Sequence, residues 1–163
     1  MSAPRILFAT WLLTLSLVAQ AAGGTPHALR PGLYVGGQPD PAQLQALASQ
    51  GVTTVIDLRS ADEDRGYAEA ARVQALGLRY VSLPIAGAGA ITPANARAVQ
   101  QALDTSEGPV LLHCASGNRV GALLALLAHE RGLDEEAAIA EGRAAGLGSL
   151  EPTVRAQIRG QGH

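Results

Sequence analysis

The run His113-Cys114-Ala115-Ser116-Gly117-Asn118-Arg119 places four small or polar residues between a cysteine and an arginine, and it is the stretch of this chain best suited to do chemistry. A cysteine sulfur is a strong nucleophile when ionised, and a guanidinium offers a planar fork that grips an anion through two parallel N–H bonds. Ahead of them Val110-Leu111-Leu112 reads as a buried strand. Behind them Val120 to Ala128 is apolar almost all round, so both flanking elements are expected to be buried and the loop between them to be held rigidly. Main-chain N–H groups of Ala115 to Arg119 would then point inward at the positive end of a helix, which favours a bound anion and a reactive sulfur. The expected unit is an anion cradle with Cys114 as nucleophile, residues Ala115, Ser116, Gly117, Asn118 and Arg119 forming its anion-binding loop. An inert buried thiol is the alternative. Position argues against it, because Cys114 follows a strand end and precedes a glycine loop and a helix.

Such a loop must be carried by a sheet, and the rest of the sequence supplies one. Leu33 to Val35 begins a strand. Asp40 or Pro41 opens a helix through Ser49, and Gly51 closes it before a strand over Val52 to Leu58. Asp62-Glu63-Asp64 reads as carboxylates at the start of a helix reaching Leu76, with reach into a pocket as the alternative. Leu78 to Leu83 forms the next strand, Pro84 to Ile91 a loop rich in glycine and alanine, and Thr92-Pro93 opens a helix to Leu103. Helices follow over Arg119 to Glu130, from Leu133 to Ala145, and from Glu151. Strands alternating with helices of this length predict an α/β fold of three layers, a mostly parallel central sheet with helices on both faces and ligands at the carboxyl ends of the strands. Asp57, Arg59 and Gln38 are possible pocket residues by that address.

Composition narrows the partners. Ile6 to Val18 is an apolar core behind one basic residue, and Ala19-Gln20-Ala21 fits the small-x-small cleavage rule, so residues 1–21 are expected to be a signal peptide and the protein periplasmic or secreted. A membrane anchor would need about 20 apolar residues. Residues 22–32 are expected as a flexible lead-in and 33–160 as a single catalytic domain. The leader holds the only Trp, Phe and Met, leaving tyrosine as the sole aromatic type and no stacking platform for nucleobases. With a formal net charge of −2 and no Arg-rich run, neither nucleic acid nor an anionic membrane is a favoured partner; a small anionic substrate or a phosphorylated molecule is. No stable membrane anchor is expected after leader cleavage. The four histidines, His27, His113, His129 and His163, are scattered and the cysteine is alone, so no metal and no cofactor is expected.

From Leu33 to about Leu147 the chain resembles the beta-lactamase-hydrolase-like, phosphatase-like domain, a branch of the cysteine phosphatase superfamily. The resemblance rests on Tyr34-Val35-Gly36-Gly37-Gln38-Pro39, Gly51 to Arg59, Tyr80 to Ile85, Ile91-Thr92-Pro93 and the cysteine loop, in that order. It implies a cysteine phosphatase-like fold and hydrolysis of phosphomonoesters through a phosphocysteine on Cys114, with Arg119 and loop amides holding the equatorial oxygens. It further implies that His113 orients the loop backbone. Aryl or tyrosine-type esters are the favoured substrates, because Pro84 to Ala90, where the family's general acid is expected, holds no titratable side chain and an acidic phenol leaves without one.

Two departures keep alternatives open. The superfamily usually places five residues between cysteine and arginine, whereas this loop has four, the length that rhodanese-like sulfurtransferases use, and its sequence resembles their loop, in which the cysteine carries a persulfide. Val120 also stands where phosphatases have Ser or Thr to ease departure of the thiolate. Sulfur transfer through a Cys114 persulfide is the alternative reading. An anion-binding or interaction module with weak catalysis is a second.

Overall fold

The computed structural model describes residues 24–160, so the expected signal peptide lies outside the described residues. Five strands form one sheet: β1 (His27–Arg30), β2 (Leu33–Gly36), β3 (Thr54–Asp57), β4 (Arg79–Ser82) and β5 (Val110–His113). Their order is β1-β2-β5-β3-β4, with β2, β5, β3 and β4 parallel and β1 antiparallel at the edge. Parallel neighbours need crossover helices, and these cover both faces. Helices α1 (Pro41–Ser49) and α2 (Glu69–Ala75) lie on one face; α3 (Pro93–Asp104), α4 (Asn118–Glu130), α5 (Glu135–Ala144) and α6 (Glu151–Gly160) lie on the other. The three-layer, mostly parallel fold is as expected.

Side-chain alternation along the strands decides what each face holds. Val55 and Leu111 pack with Leu44, Leu47 and Val73 beneath α1 and α2. Val35, Ile56 and Leu112 pack against the thicker layer, where every residue of α4 from Val120 to Ala128 is buried. That helix is apolar all round because the sheet, α3, α5 and α6 surround it. Close approach of α4 to α5 depends on glycine: a Cβ on Gly121 would stand 2.5 Å from the Gly142 carbonyl oxygen of α5 and 2.1 Å from the Leu147 nitrogen just beyond it.

Helix starts follow their caps. Asp40 accepts from the amides of Ala42 and Gln43 while the Gln43 side chain accepts from the Asp40 amide, and Thr92 caps α3 through the amide of Asn95.

Two expectations need correction. Within the 22–32 segment, His27–Arg30 is a strand paired to β2, its backbone groups completing the sheet edge beside Leu33 to Val35. The second helix begins at Glu69, not at Asp62 to Asp64. Two of those carboxylates have other work: Glu63 accepts from the Ser60 amide and from Arg119, Asp64 accepts from the Gly66 amide, and Gly66 at φ 63° turns the chain away from helical geometry. The β3–α2 connection is therefore an irregular loop over 58–68, lying beside the cysteine loop.

Candidate active site

Strand β5 delivers Cys114 to the carboxyl edge of the sheet, and the chain leaving β2, together with Gly24 ahead of β1, fastens the loop that follows. The Cys114 amide donates to Gly36 O (3.3 Å), the Gln38 amide to Ala115 O (3.2 Å) and the Gly24 amide to Ser116 O (3.4 Å). Gly117 then takes φ 91° and starts α4, while its amide donates to Cys114 Sγ at 3.1 Å. No other residue type suits that position, since a Cβ would strain the left-handed backbone and press to 3.3 Å of the Gly36 carbonyl carbon. The Asn118 and Arg119 amides belong to the first turn of α4, where N–H groups have no intrahelical partner. Cys114 itself is 1% exposed and lies beneath the cradle.

Arg119 reaches from α4 into a cleft of about 450 Å3 lined by Ser60, Asp62, Glu63, Ala86, Gly87, Ala88, Ser116, Asn118 and Leu150. Glu63 meets the guanidinium end-on, each carboxylate oxygen 2.6 Å from one terminal nitrogen, and Nη1 also donates to Ile85 O at 2.9 Å. This geometry uses the Nη1–Nη2 edge. Glu63 leaves the Nε–Nη2 edge uncovered, and Cys114 is the other residue whose charge acts on this guanidinium. The hydrogen bond from Arg119 holds the Glu63 carboxyl below the usual carboxylate range despite partial burial, and Glu63, then Cys114, raise Arg119 above its ordinary value.

A second charged group lies on the opposite face of the same strand ends. Asp57 and His113 are register partners on β3 and β5, one residue before the loop, and alternation turns them toward α2, where Glu69 meets them. Arg59 donates to both oxygens of Asp57 at 2.9 Å and also to Glu69. Tyr80 Oη donates to Asp57 at 2.7 Å. His113 Nε2 stands 3.1 Å from Glu69 Oε1, and its Nδ1 stands 3.3 Å from Cys114 O. Burial alone would raise the Asp57 carboxyl; Arg59, His113 and Tyr80 together overcome that and hold it well below the usual range. Burial, then Asp57, pushes the Tyr80 hydroxyl up to about 12.

Asp57, Glu69 and His113 bring three potential metal ligands within 4.8 Å of one another. Arg59 already donates to both carboxylates, so the positive charge that a dication would contribute is in place, and a cation there would be repelled by the guanidinium. The cluster fits an internal ion-pair network, not a metal centre.

Several expected site residues are relocated by this geometry. Asp57 and Arg59 are fully buried and do not line the cleft, because the face they share is sealed by α2. Asn118 faces the cleft, yet its side-chain oxygen accepts from the Gly148 and Leu150 amides and its nitrogen donates to Ser149; its side chain holds the 148–150 turn. Gln38 lines a different opening of about 540 Å3, with Pro39, Tyr67 and Ala115, and touches the cysteine loop through its main-chain amide. Val120 is buried, so no hydroxyl stands there. Ser116 and Arg119 are brought to one cleft with Cys114 below. Sequence reasoning missed Glu69, although a signal existed: it precedes buried Val73 by four residues and so shares the inward face of α2.

The family described as "Beta-lactamase hydrolase-like protein, phosphatase-like domain" matches residues 27–131. The beta-lactamase hydrolase-like protein of Xylella fastidiosa (strain Temecula1) is 38% identical over 98 residues, which cover 58% of this chain and 22% of that protein. The chain thus matches about a fifth of that relative's length. A solved structure from Neisseria meningitidis, nma1982, superposes with a TM-score of 0.69 at 20% identity, covering 80% of this chain and 96% of that one. P. aeruginosa TpbA in complex with pTyr superposes at 0.67 and 24% identity, covering 88% and 91%. At these identities the structures speak to fold, and the fold is that of cysteine phosphatases. On the family match across its sheet, its cysteine loop and α4, this chain belongs to the beta-lactamase hydrolase-like, phosphatase-like domain family.

Proposed function

We propose that this protein hydrolyses phosphomonoesters, with aryl or tyrosine-type esters favoured, through a phosphocysteine on Cys114. One observation carries the reading. Glu63 occupies only one edge of the Arg119 guanidinium, and the Gly117 amide at the start of α4 donates to Sγ, so a phosphoryl group above the sulfur would have the remaining edge and the first helix amides for its oxygens. The thiolate attacks phosphorus, the ester oxygen leaves, and water then releases phosphate and restores the sulfur. The thiol is 1% exposed, so in this reading the substrate brings its phosphoryl group to the sulfur by way of the cleft. His113, between Glu69 and the Cys114 carbonyl, is assigned the orienting role, holding the loop backbone by its ring. TpbA, the neighbour whose structure holds pTyr, supports the substrate class. Export through residues 1–21 is part of the proposal, the partner being a small phosphorylated molecule.

A specific observation favours a second reading. The loop holds four residues between Cys114 and Arg119, Val120 faces the core, and Gly117 supplies the hydrogen bond to Sγ, a cradle suited to a terminal sulfur. Purified, reduced protein is assayed for phosphate release from p-nitrophenyl phosphate and for thiocyanate formation from thiosulfate and cyanide. The first reaction, lost in Cys114→Ser, is the expected result. Thiocyanate alone would replace the hydrolase reading with sulfur transfer.

A further inference from the structure

The cleft holds a carboxyl without a partner among the described residues, on the β3–α2 loop. Resting on the hydrolase reading, we propose that Asp62, carried by the β3–α2 loop, is the general acid that protonates the leaving oxygen.

An ester oxygen whose alcohol or phenol is weakly acidic leaves readily only when it is protonated, and the side chains that could deliver a proton into this cleft are few. The wall formed by Ala86, Gly87 and Ala88 has nothing that titrates. Glu63 is committed: both oxygens are bonded to Arg119, one also takes the Ser60 amide, and the pairing keeps it ionised. Asp64 lines the other opening and accepts from the Gly66 amide. Asp62 lines the cleft, is exposed, and has no hydrogen bond or ion pair among the described residues. Its position is fixed through its neighbour, since the three bonds on Glu63 pin the backbone one residue away to the arginine of the cradle. The charged groups that share the cleft with it are Glu63 from its own loop and Arg119 from α4.

The step balances without a co-reactant. As Cys114 Sγ forms its bond to phosphorus, the bond from phosphorus to the ester oxygen breaks, and the Asp62 proton passes to that oxygen, which leaves as a neutral alcohol or phenol. Asp62, now a carboxylate, takes a proton from the water that attacks phosphorus. The bond between sulfur and phosphorus breaks, inorganic phosphate departs, and thiolate and carboxylic acid are both restored.

The test compares wild type, Asp62→Asn and Asp64→Asn on p-nitrophenyl phosphate, whose phenol leaves unaided, and on phenyl phosphate, whose phenol does not. Asp62→Asn is expected to lower kcat on phenyl phosphate by about 10²–10³ and on p-nitrophenyl phosphate by less than about 10-fold. Asp64→Asn should match wild type, and melting temperatures should agree, because the Asp62 side chain is exposed and unpartnered. Equal losses on both esters, or none, would overturn the assignment of Asp62 while leaving hydrolysis standing. A wild type that hydrolyses neither ester would remove the hydrolase reading and Asp62 with it.

Discussion

Two arginines end up beside carboxylates within a few residues of the same sheet edge, and they differ in how much of each guanidinium is used. Arg59 is fully buried, gives two bonds to Asp57 and another to Glu69, and shares those acids with His113 and Tyr80. Arg119 is partly exposed, lines the cleft, and meets Glu63 along one edge only. Charge that is sealed and bonded on several sides is scaffold. Charge that is anchored on one side and open on the other is positioned to take a ligand without the cost of reorganising. Alternation along β5 separates the two, sending His113 to the sealed face and Cys114 to the other.

The contrast breaks most sharply at Glu69. Glu69→Ala leaves Arg59 buried with one carboxylate instead of two, and it is expected to cost about 3–5 kcal/mol in urea unfolding. A loss below 1 kcal/mol would mean that the buried network does not support the sheet edge. Arg119→Lys should instead lower kcat/KM on p-nitrophenyl phosphate by about 10²–10³ with the unfolding midpoint nearly unchanged, since a point charge cannot reproduce the fork. Comparable stability loss in both variants would erase the distinction.

Gly117→Ala sharpens it at the hinge between the two groups. Left-handed backbone and the contact with Gly36 predict a loss of about 1–2 kcal/mol of stability, together with reduced turnover. Unchanged turnover would separate the Sγ–amide contact from catalysis.

Acid reads the sealed side. Because the Asp57 carboxyl is held below its ordinary value in the folded protein, the stability it contributes is fully present above about pH 4 and declines as pH falls toward its folded value. Melting temperature should therefore drop with acidification below about pH 4, and drop less steeply in Asp57→Asn. Parallel slopes in the two proteins would place the acid sensitivity elsewhere.

The sheet and the nucleophile loop were legible because their signals are local. Apolar runs bounded by glycine, the Asp40 and Thr92 caps and the continuous apolar face of α4 each declare themselves within a dozen residues. Glu63 was harder: three adjacent acids ahead of a helical stretch match a helix start, and only the fold brings Arg119, far along the chain, to one of them. Asp57 and Arg59 stood at the right strand end, but which side of that end is open depends on α2, whose Glu69 completes the cluster. His27–Arg30 lacks apolar alternation, and its strand depends on pairing with β2. Pairing across distance, more than local propensity, is what sequence pattern left unread.

The covalent intermediate offers the most direct measurement. Reduced protein mixed with p-nitrophenyl phosphate, stopped by a rapid denaturing quench and digested, should show one phosphoryl group on the peptide containing Cys114, and none in Cys114→Ser. An unmodified Cys114 during turnover, or a sulfur adduct from thiosulfate with no phosphoryl adduct from the ester, would contradict phosphoryl transfer through this residue.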